Sequence, residues 1–320
     1  MKKTDKIINV KRLLLYFIIG IFAFSLGFGA GYITPHLNKN AHDKLYVKSS
    51  GETETKEPEK EDDEINSLVA LKHKLERETR NYEGDWSIYV ENLGNGEKIE
   101  INNKKMRSAS LIKLFIMGKV YEEIEAGTIK KEDVSNHLKN MITISDNESS
   151  NVLVSKLGGG EYQGMDEIFS EGLKAVNGFA KNLKCDDTEQ QRDMKNSRPK
   201  PIPQENYTSA KDCGILLSKL YHKKLVSPES DGEMLELLKG QQRRTKIPAG
   251  LPPEAVCANK TGELSDTEND VAIVFSPGAD YVICVLSNDL KDTNTARNNI
   301  TRISEITYNF FNVKSHENSN

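Results

Sequence analysis

Ser110 and Lys113 stand three residues apart at the head of an apolar run, Leu111-Ile112-Lys113-Leu114-Phe115-Ile116-Met117. In a helix that spacing puts both side chains on one face. A run this apolar predicts a buried segment, where a lysine is expensive unless it is paired or neutral. Desolvation lowers the pKa of the ammonium, and a neutral lysine beside a hydroxyl can serve as its base. A serine at a helix start also has backbone N–H groups nearby that can stabilise a developing oxyanion. The chemistry implied is nucleophilic acyl transfer through a covalent intermediate. The plainer alternative is an N-capping serine beside a lysine that snorkels to the surface.

Two other strings follow in a fixed order. Ser145-Asp146-Asn147 precedes Glu148 to Leu153, a predicted helix opening where Asp or Asn is most often a simple cap. Lys260-Thr261-Gly262 follows a β-like segment, and many lysines end strands only to protect an edge. Each string alone is weak. S-x-x-K even recurs at Ser197 to Lys200, interrupted by Pro199 in a polar stretch. Jointly and in this order the strings carry a specific signal.

With these motifs the chain resembles the class A β-lactamase-like, penicillin-recognising serine hydrolases over roughly residues 65–313. The likeness extends to Met141-Ile142-Thr143-Ile144 with Asn151 behind the second string, and to Ile247-Pro248-Ala249-Gly250-Leu251-Pro252 ahead of Ala258-Asn259 and the third. The resemblance implies that Ser110 is the nucleophile and Lys113 part of its base system. It gives Ser145 to proton relay towards the leaving nitrogen and Asn147 to holding the acyl amide. Lys260 and Thr261 would receive the substrate carboxylate, with Gly262 in the same substrate-binding string. The backbone N–H groups of Ser110 and Glu263 would form the oxyanion hole. The implied fold is α+β, an antiparallel sheet flanked by helices with an inserted all-helical subdomain. The implied substrate is a β-lactam or a D-Ala-D-Ala-like peptide.

Three departures from the family pattern bear on function. The family's E-x-x-L-N string, whose glutamate positions the deacylating water, is missing before the helix that opens near Thr208. In its place stand Cys185 to Met194 and then Pro199 to Pro203, with Asp186, Asp187, Glu189 and Asp193 as unselected substitutes. Without a substitute, acylation would outlast deacylation. Glu263 shares a strand face with Thr261, which brings a negative charge towards the place expected for a substrate carboxylate. The interval from Ser110 to Ser145 is also shorter than in family enzymes, which predicts a more open cleft wall.

Composition sets the setting. The chain has 320 residues, 37% of them hydrophobic, a net charge of −4 and a mean hydropathy of −0.58. These values suit a globular domain with polar extensions and give no electrostatic reason to expect nucleic acid. The six histidines are scattered and the four cysteines form no C-x-x-C, so no metal or other cofactor is expected. The cysteines, Cys185, Cys213, Cys257 and Cys284, are at least as consistent with buried thiols as with disulfides.

The N-terminus predicts location. Leu13 to Ile33 carries no charge and is long enough for a helix across a bilayer core of ~30 Å. Lys2, Lys3, Lys6, Lys11 and Arg12 precede it, so the positive-inside rule sends the C-terminal bulk outward. An uncleaved signal anchor is preferred over a cleaved signal peptide because no clear small-residue cleavage site follows. The resulting organisation is a basic tail (1–12), a single-pass anchor (13–33), a charged linker (34–63), the hydrolase domain (64–313, helical insert about 108–225) and a polar tail (314–320). The catalytic domain is expected to be monomeric.

The elements that must position the three strings can be read from periodicity. Ile65, Leu68, Leu71 and Leu75 keep helical spacing, while Trp86, Ile88 and Val90 alternate as in a strand. Asn95-Gly96 marks a hairpin into Lys98 to Ile101. Helical signals run from about 109 to 225, with one helix from Thr208 to near Tyr221. Strands are expected at Ala255 to Asn259, Val271 to Phe275 and Tyr281 to Leu286. A last helix carries Ile300, Ile303, Ile306 and Phe310. The sheet is therefore expected to draw on both ends of the domain. Three readings remain: a β-lactam-opening hydrolase, a D-alanyl-D-alanine peptidase, or a penicillin-binding sensor or scaffold in which the acyl-enzyme is an end point.

Overall fold

The structure, a computed structural model, describes residues 67–194 and 204–312. The expected tail, anchor and linker, the second S-x-x-K copy and the polar C-terminal tail lie outside the described residues. Among the described residues no helix is long and apolar enough to cross a membrane.

Helix α1 (Leu68–Thr79) buries Leu68, Leu71 and Leu75, the stripe predicted from their spacing, and starts where Ser67 accepts a hydrogen bond from the Ala70 N–H. Strand β1 (Asp85–Asn92) turns at Asn95-Gly96 into β2 (Lys98–Ile101). Gly96 has a φ of 76°, the left-handed conformation that such a turn requires. Strands β5 (Val256–Leu264), β6 (Thr267–Phe275) and β7 (Tyr281–Asn288) complete an antiparallel sheet of order β2-β1-β7-β6-β5. The sheet thus does join both ends of the domain. Its late strands run longer than their apolar cores suggested, because polar residues such as Asn269 and Asp270 are buried within them.

The two faces of the sheet bury different partners. Trp86, Ile88 and Val90 face α1 and the C-terminal helix α8 (Thr293–Asn312), where Ile300, Ile303 and Ile306 pack. Tyr89, Ala258, Val271 and Cys284 face the helical subdomain. That subdomain comprises α2 (Lys113–Glu125), α3 (Lys131–Thr143), α4 (Asn147–Leu157), α5 (Glu167–Asn182), α6 (Ala210–Tyr221) and α7 (Pro228–Lys239). Helix α7 extends the helical block past residue 225, where the sequence pattern had ended it. It opens with Ser227 as N-cap and Pro228 in its first turn, and only Met234, Leu235 and Leu238 supply a buried apolar stripe. A two-stranded ribbon of β3 (Met106–Arg107) and β4 (Tyr207–Thr208) was not apparent in the sequence, being too short to show alternation. All four cysteines are buried free thiols.

Candidate active site

The two lysines of the motifs both turn inward. Lys113 is fully buried at the first position of α2, and Lys260 is fully buried on β5. Neither the snorkelling lysine nor the edge-protecting lysine survives. Lys113 Nζ lies 2.7 Å from the Ser145 carbonyl oxygen, 2.8 Å from Asn147 Oδ1 and 3.3 Å from Ser145 Oγ. Lys260 Nζ donates to Ser145 Oγ at 2.9 Å and to its neighbour's carbonyl, Thr261 O, at 2.8 Å. All three strings, far apart in sequence, therefore meet at one serine hydroxyl.

Burial pushes the Lys113 pKa down to about 7, with Asp146 opposing the shift and Arg243 adding to it. Lys260 is lowered well below the usual lysine range by its burial and by the neighbouring Lys113. A neutral amine has two N–H donors and one lone pair. Two acceptor-only carbonyl oxygens, at 2.7 and 2.8 Å, match the two donors of Lys113. The third position on the nitrogen faces Ser145 Oγ at 3.3 Å, to which the ammonium form donates and from which the neutral amine accepts.

Backbone strain marks both serine strings. Ala109, immediately before Ser110, has a φ of 46°, and Ser145 has a φ of 61°. Non-glycine residues enter the left-handed region at a cost of order 1–3 kcal/mol and stay there only when the surroundings over-determine them. Around Ser110 those surroundings are specific. Asn269 Nδ2 on β6 donates to the Arg107 and Ser108 carbonyls at 3.0 and 3.3 Å, and the Ser108 N–H donates to Asn206 O at 2.8 Å. Arg107 forks onto Asp266 at 2.9 and 3.0 Å. Ser110, in a short 3-10 turn (Ala109–Ile112) that runs into α2, is partly exposed. On the Ser145 side, Asp146 caps α4 by accepting the Ser149 N–H at 2.6 Å, so the string is a cap as well as a site.

Gly262 explains how β5 approaches the Ser110 turn. A Cβ there would stand 2.8 Å from the Ser108 carbonyl oxygen and 3.3 Å from the Ala109 Cβ. Only glycine allows this strand so close to the Ser110 turn. Since β5 is an edge strand, alternate backbone N–H groups along it have no partner in the sheet. Thr261 is buried and paired in register with Asp270, and Glu263 with Glu268.

Glu263 is not a bare charge. It pairs with Arg243 and, at 3.2 Å, with Lys246. The fully buried Lys246 also reaches Glu268 at 2.7 Å, and Glu268 pairs with Arg297. Burial raises the Glu263 carboxyl pKa, but Lys246 and Arg243 outweigh it and hold the carboxyl ionised. This network was missed because its members come from a loop, two strands and a helix. The one sequence signal was the basic run Arg243-Arg244-Thr245-Lys246 just before Ile247-Pro248.

The acidic candidates for deacylation stand elsewhere. Glu189 pairs with Lys105 at 3.0 Å, and Asp193 accepts from the Tyr162 hydroxyl at 2.8 Å. The Asp187 N–H donates to Asp212, and Asp186 is exposed. Among the described residues none of the four bonds to Ser110, Lys113, Ser145 or Asn147. The loop does reach α4, but through Met194, whose N–H donates to Asn151 Oδ1 at 2.9 Å.

The sequence profile of the β-lactamase enzyme family matches residues 70–136 and 130–311. The chain belongs to this family. Among solved structures, a β-lactamase from Sphaerobacter thermophilus is 22% identical, with 77% of this chain and 98% of that one covered at a TM-score of 0.65. PBP-A is 21% identical over 78% of this chain and 97% of its own, with a TM-score of 0.64. A β-lactamase from Chitinophaga pinensis is 19% identical over 75% of this chain and 98% of its own, with a TM-score of 0.65. At such identities the likeness shows a shared α+β fold. No curated protein matches the chain.

Proposed function

We propose that this β-lactamase-family chain is a membrane-held, extracytoplasmic serine hydrolase of class A type. It opens β-lactam amides through an acyl-enzyme on Ser110 and releases the acyl group slowly. The observation that carries the proposal is that Lys113, three residues after Ser110, reaches both Ser145 and Asn147, while Lys260 reaches the same Ser145 hydroxyl. The neutral Lys113 amine takes the Ser110 proton as Oγ bonds to the carbonyl carbon. The carbonyl electron pair moves onto oxygen, which the N–H groups of Ser110 and Glu263 stabilise. Collapse breaks the C–N bond, the Ser145 hydroxyl protonates the nitrogen, and Lys113 returns its proton to Ser145. Asn147 orients the acyl amide, and Lys260, Thr261 and Gly262 form the carboxylate end of the cleft.

Slow release rests on the placement of the acidic side chains: Asp193 is engaged by Tyr162 and Glu189 by Lys105, and among the described residues neither Asp186 nor Asp187 bonds to a motif residue. The same placement favours a second reading, a D-alanyl-D-alanine peptidase that acylates Ser110 with a cell-wall peptide. That a mutant of PBP-A is described as an acyl-enzyme complex with penicillin G supports penicillin as a probe. A fluorescent penicillin is expected to label the full chain covalently, and Ser110→Ala to remove the label. Intact-mass measurement of the label's lifetime tests slow release, and release of D-alanine from a D-Ala-D-Ala peptide tests the second reading. Persistence over hours fits slow release, and loss within seconds would refute it. No label on the native chain would refute β-lactam acylation altogether.

A further inference from the structure

A line of alternating charges runs from the surface beside β5 into the protein. Arg243 pairs with Glu263, Glu263 with Lys246 at 3.2 Å, Lys246 with Glu268 at 2.7 Å, and Glu268 with Arg297 at 2.6 Å. The two inner members, Lys246 and Glu268, are essentially inaccessible, with side-chain exposures of 0% and 1%. The outer end is open: the Arg243 side chain is 48% exposed and that of Glu263 28%. Arg243 also stands within electrostatic reach of Lys113 and Lys260, since its charge disfavours a proton on either.

The Arg243 loop is fixed to the same site. Gln241 Nε2 donates to the Ile142 carbonyl at 2.6 Å, the Gln242 N–H to Thr143 O at 2.9 Å, and the Arg243 N–H to Gln241 Oε1 at 2.9 Å. The guanidinium is thus an accessible cation, tied to the segment before Ser145 and lying beside the Lys260-Thr261-Gly262 strand. Guanidinium groups recognise carboxylates through paired N–H donors. Here a carboxylate from the protein itself already holds it.

We propose that Glu263 is a specificity-determining residue of this site, an internal carboxylate that occupies Arg243 so that a substrate carboxylate must exchange with it. The inference rests on the acylation of Ser110 described above. Its consequence is a narrowed preference: anionic acyl donors lose the advantage that a free Arg243 guanidinium beside the motif strand would otherwise give them. Uncharged acyl donors meet no such competition. Glu263→Gln keeps the shape of the side chain but removes the competing charge, and it leaves Lys246 paired with Glu268.

The test compares benzylpenicillin with its methyl ester, which differ in one negative charge. Acylation rates of the full chain are measured by intact mass for the native protein, Glu263→Gln and the double variant Glu263→Gln with Arg243→Gln. The carboxylate-to-ester rate ratio is expected to rise at least about tenfold in Glu263→Gln. It is expected to fall back towards the native value in the double variant, which has lost the freed guanidinium. Glu263→Thr, with a strand-favouring residue, carries the same expectation should the glutamine variant fold poorly. A ratio within twofold of native, or lower, in a folded single variant overturns the inference while leaving Ser110 acylation standing. Absence of label from native protein and variants with both probes overturns the acylation reading and this inference together.

Discussion

Lys113 is the residue on which the proposed chemistry turns. Its burial costs the ammonium its hydration, and the nearest negative charge, Asp146, compensates only in part, so its pKa falls to about 7. Two carbonyl oxygens fix the nitrogen without supplying a formal charge. A base acts only when unprotonated, and a lysine is protonated below its pKa. Acylation of Ser110 is therefore expected to climb with pH and level off above about 7, losing about tenfold per unit below it. Stopped-flow acylation between about pH 5 and 9 checks this. A flat profile would mean that another group takes the proton. Lys260 is equally buried, but it spends its donors on Ser145 and Thr261, which suits a group that orients the relay hydroxyl.

At the scale of elements, the site is a meeting of three backbone pieces, each held by contacts outside its own string. The Ser110 turn is pinned by Asn269 and Asn206, the Ser145 loop by Gln241 and Gln242, and β5 is admitted by Gly262. The loop between α5 and β4 has an equally firm anchor at Asn151, one turn along α4 from Asn147, but the residue delivered there is Met194. A general base typically contributes 10²–10⁴-fold. Placing a carboxylate at this anchored position, as Met194→Glu, is expected to shorten the lifetime of the penicilloyl label at least about tenfold. Intact mass against time is the measurement. An unchanged lifetime would show that residue 194 does not command the water that reaches the acyl carbon.

For the molecule as a whole, the proposed location depends on Leu13 to Ile33 and on the basic residues before it. Deleting residues 1–33 is expected to move the protein from the membrane to the soluble fraction while Ser110 still takes the penicillin label. Retention in the membrane would assign anchoring to another part of the chain. The described residues show what the sequence settled by itself. Trp86, Ile88 and Val90, and likewise Ile300, Ile303 and Ile306, revealed their elements because burial of one face imposes a period on the chain. The three strings pointed to one site, where the structure brings their side chains together, because a lysine in an apolar run has few physical excuses. Helix α7 and the β3–β4 ribbon were illegible, one for its mixed composition and the other for its length. Only the tertiary structure decided that Lys113 and Lys260 share one hydroxyl, that Glu263 is matched by Arg243 and Lys246, and that Asp193 turns to Tyr162. Such pairings join residues far apart in the chain. Local periodicity carries no trace of them, because which charges meet is set by how the sheet and the helical subdomain close on each other.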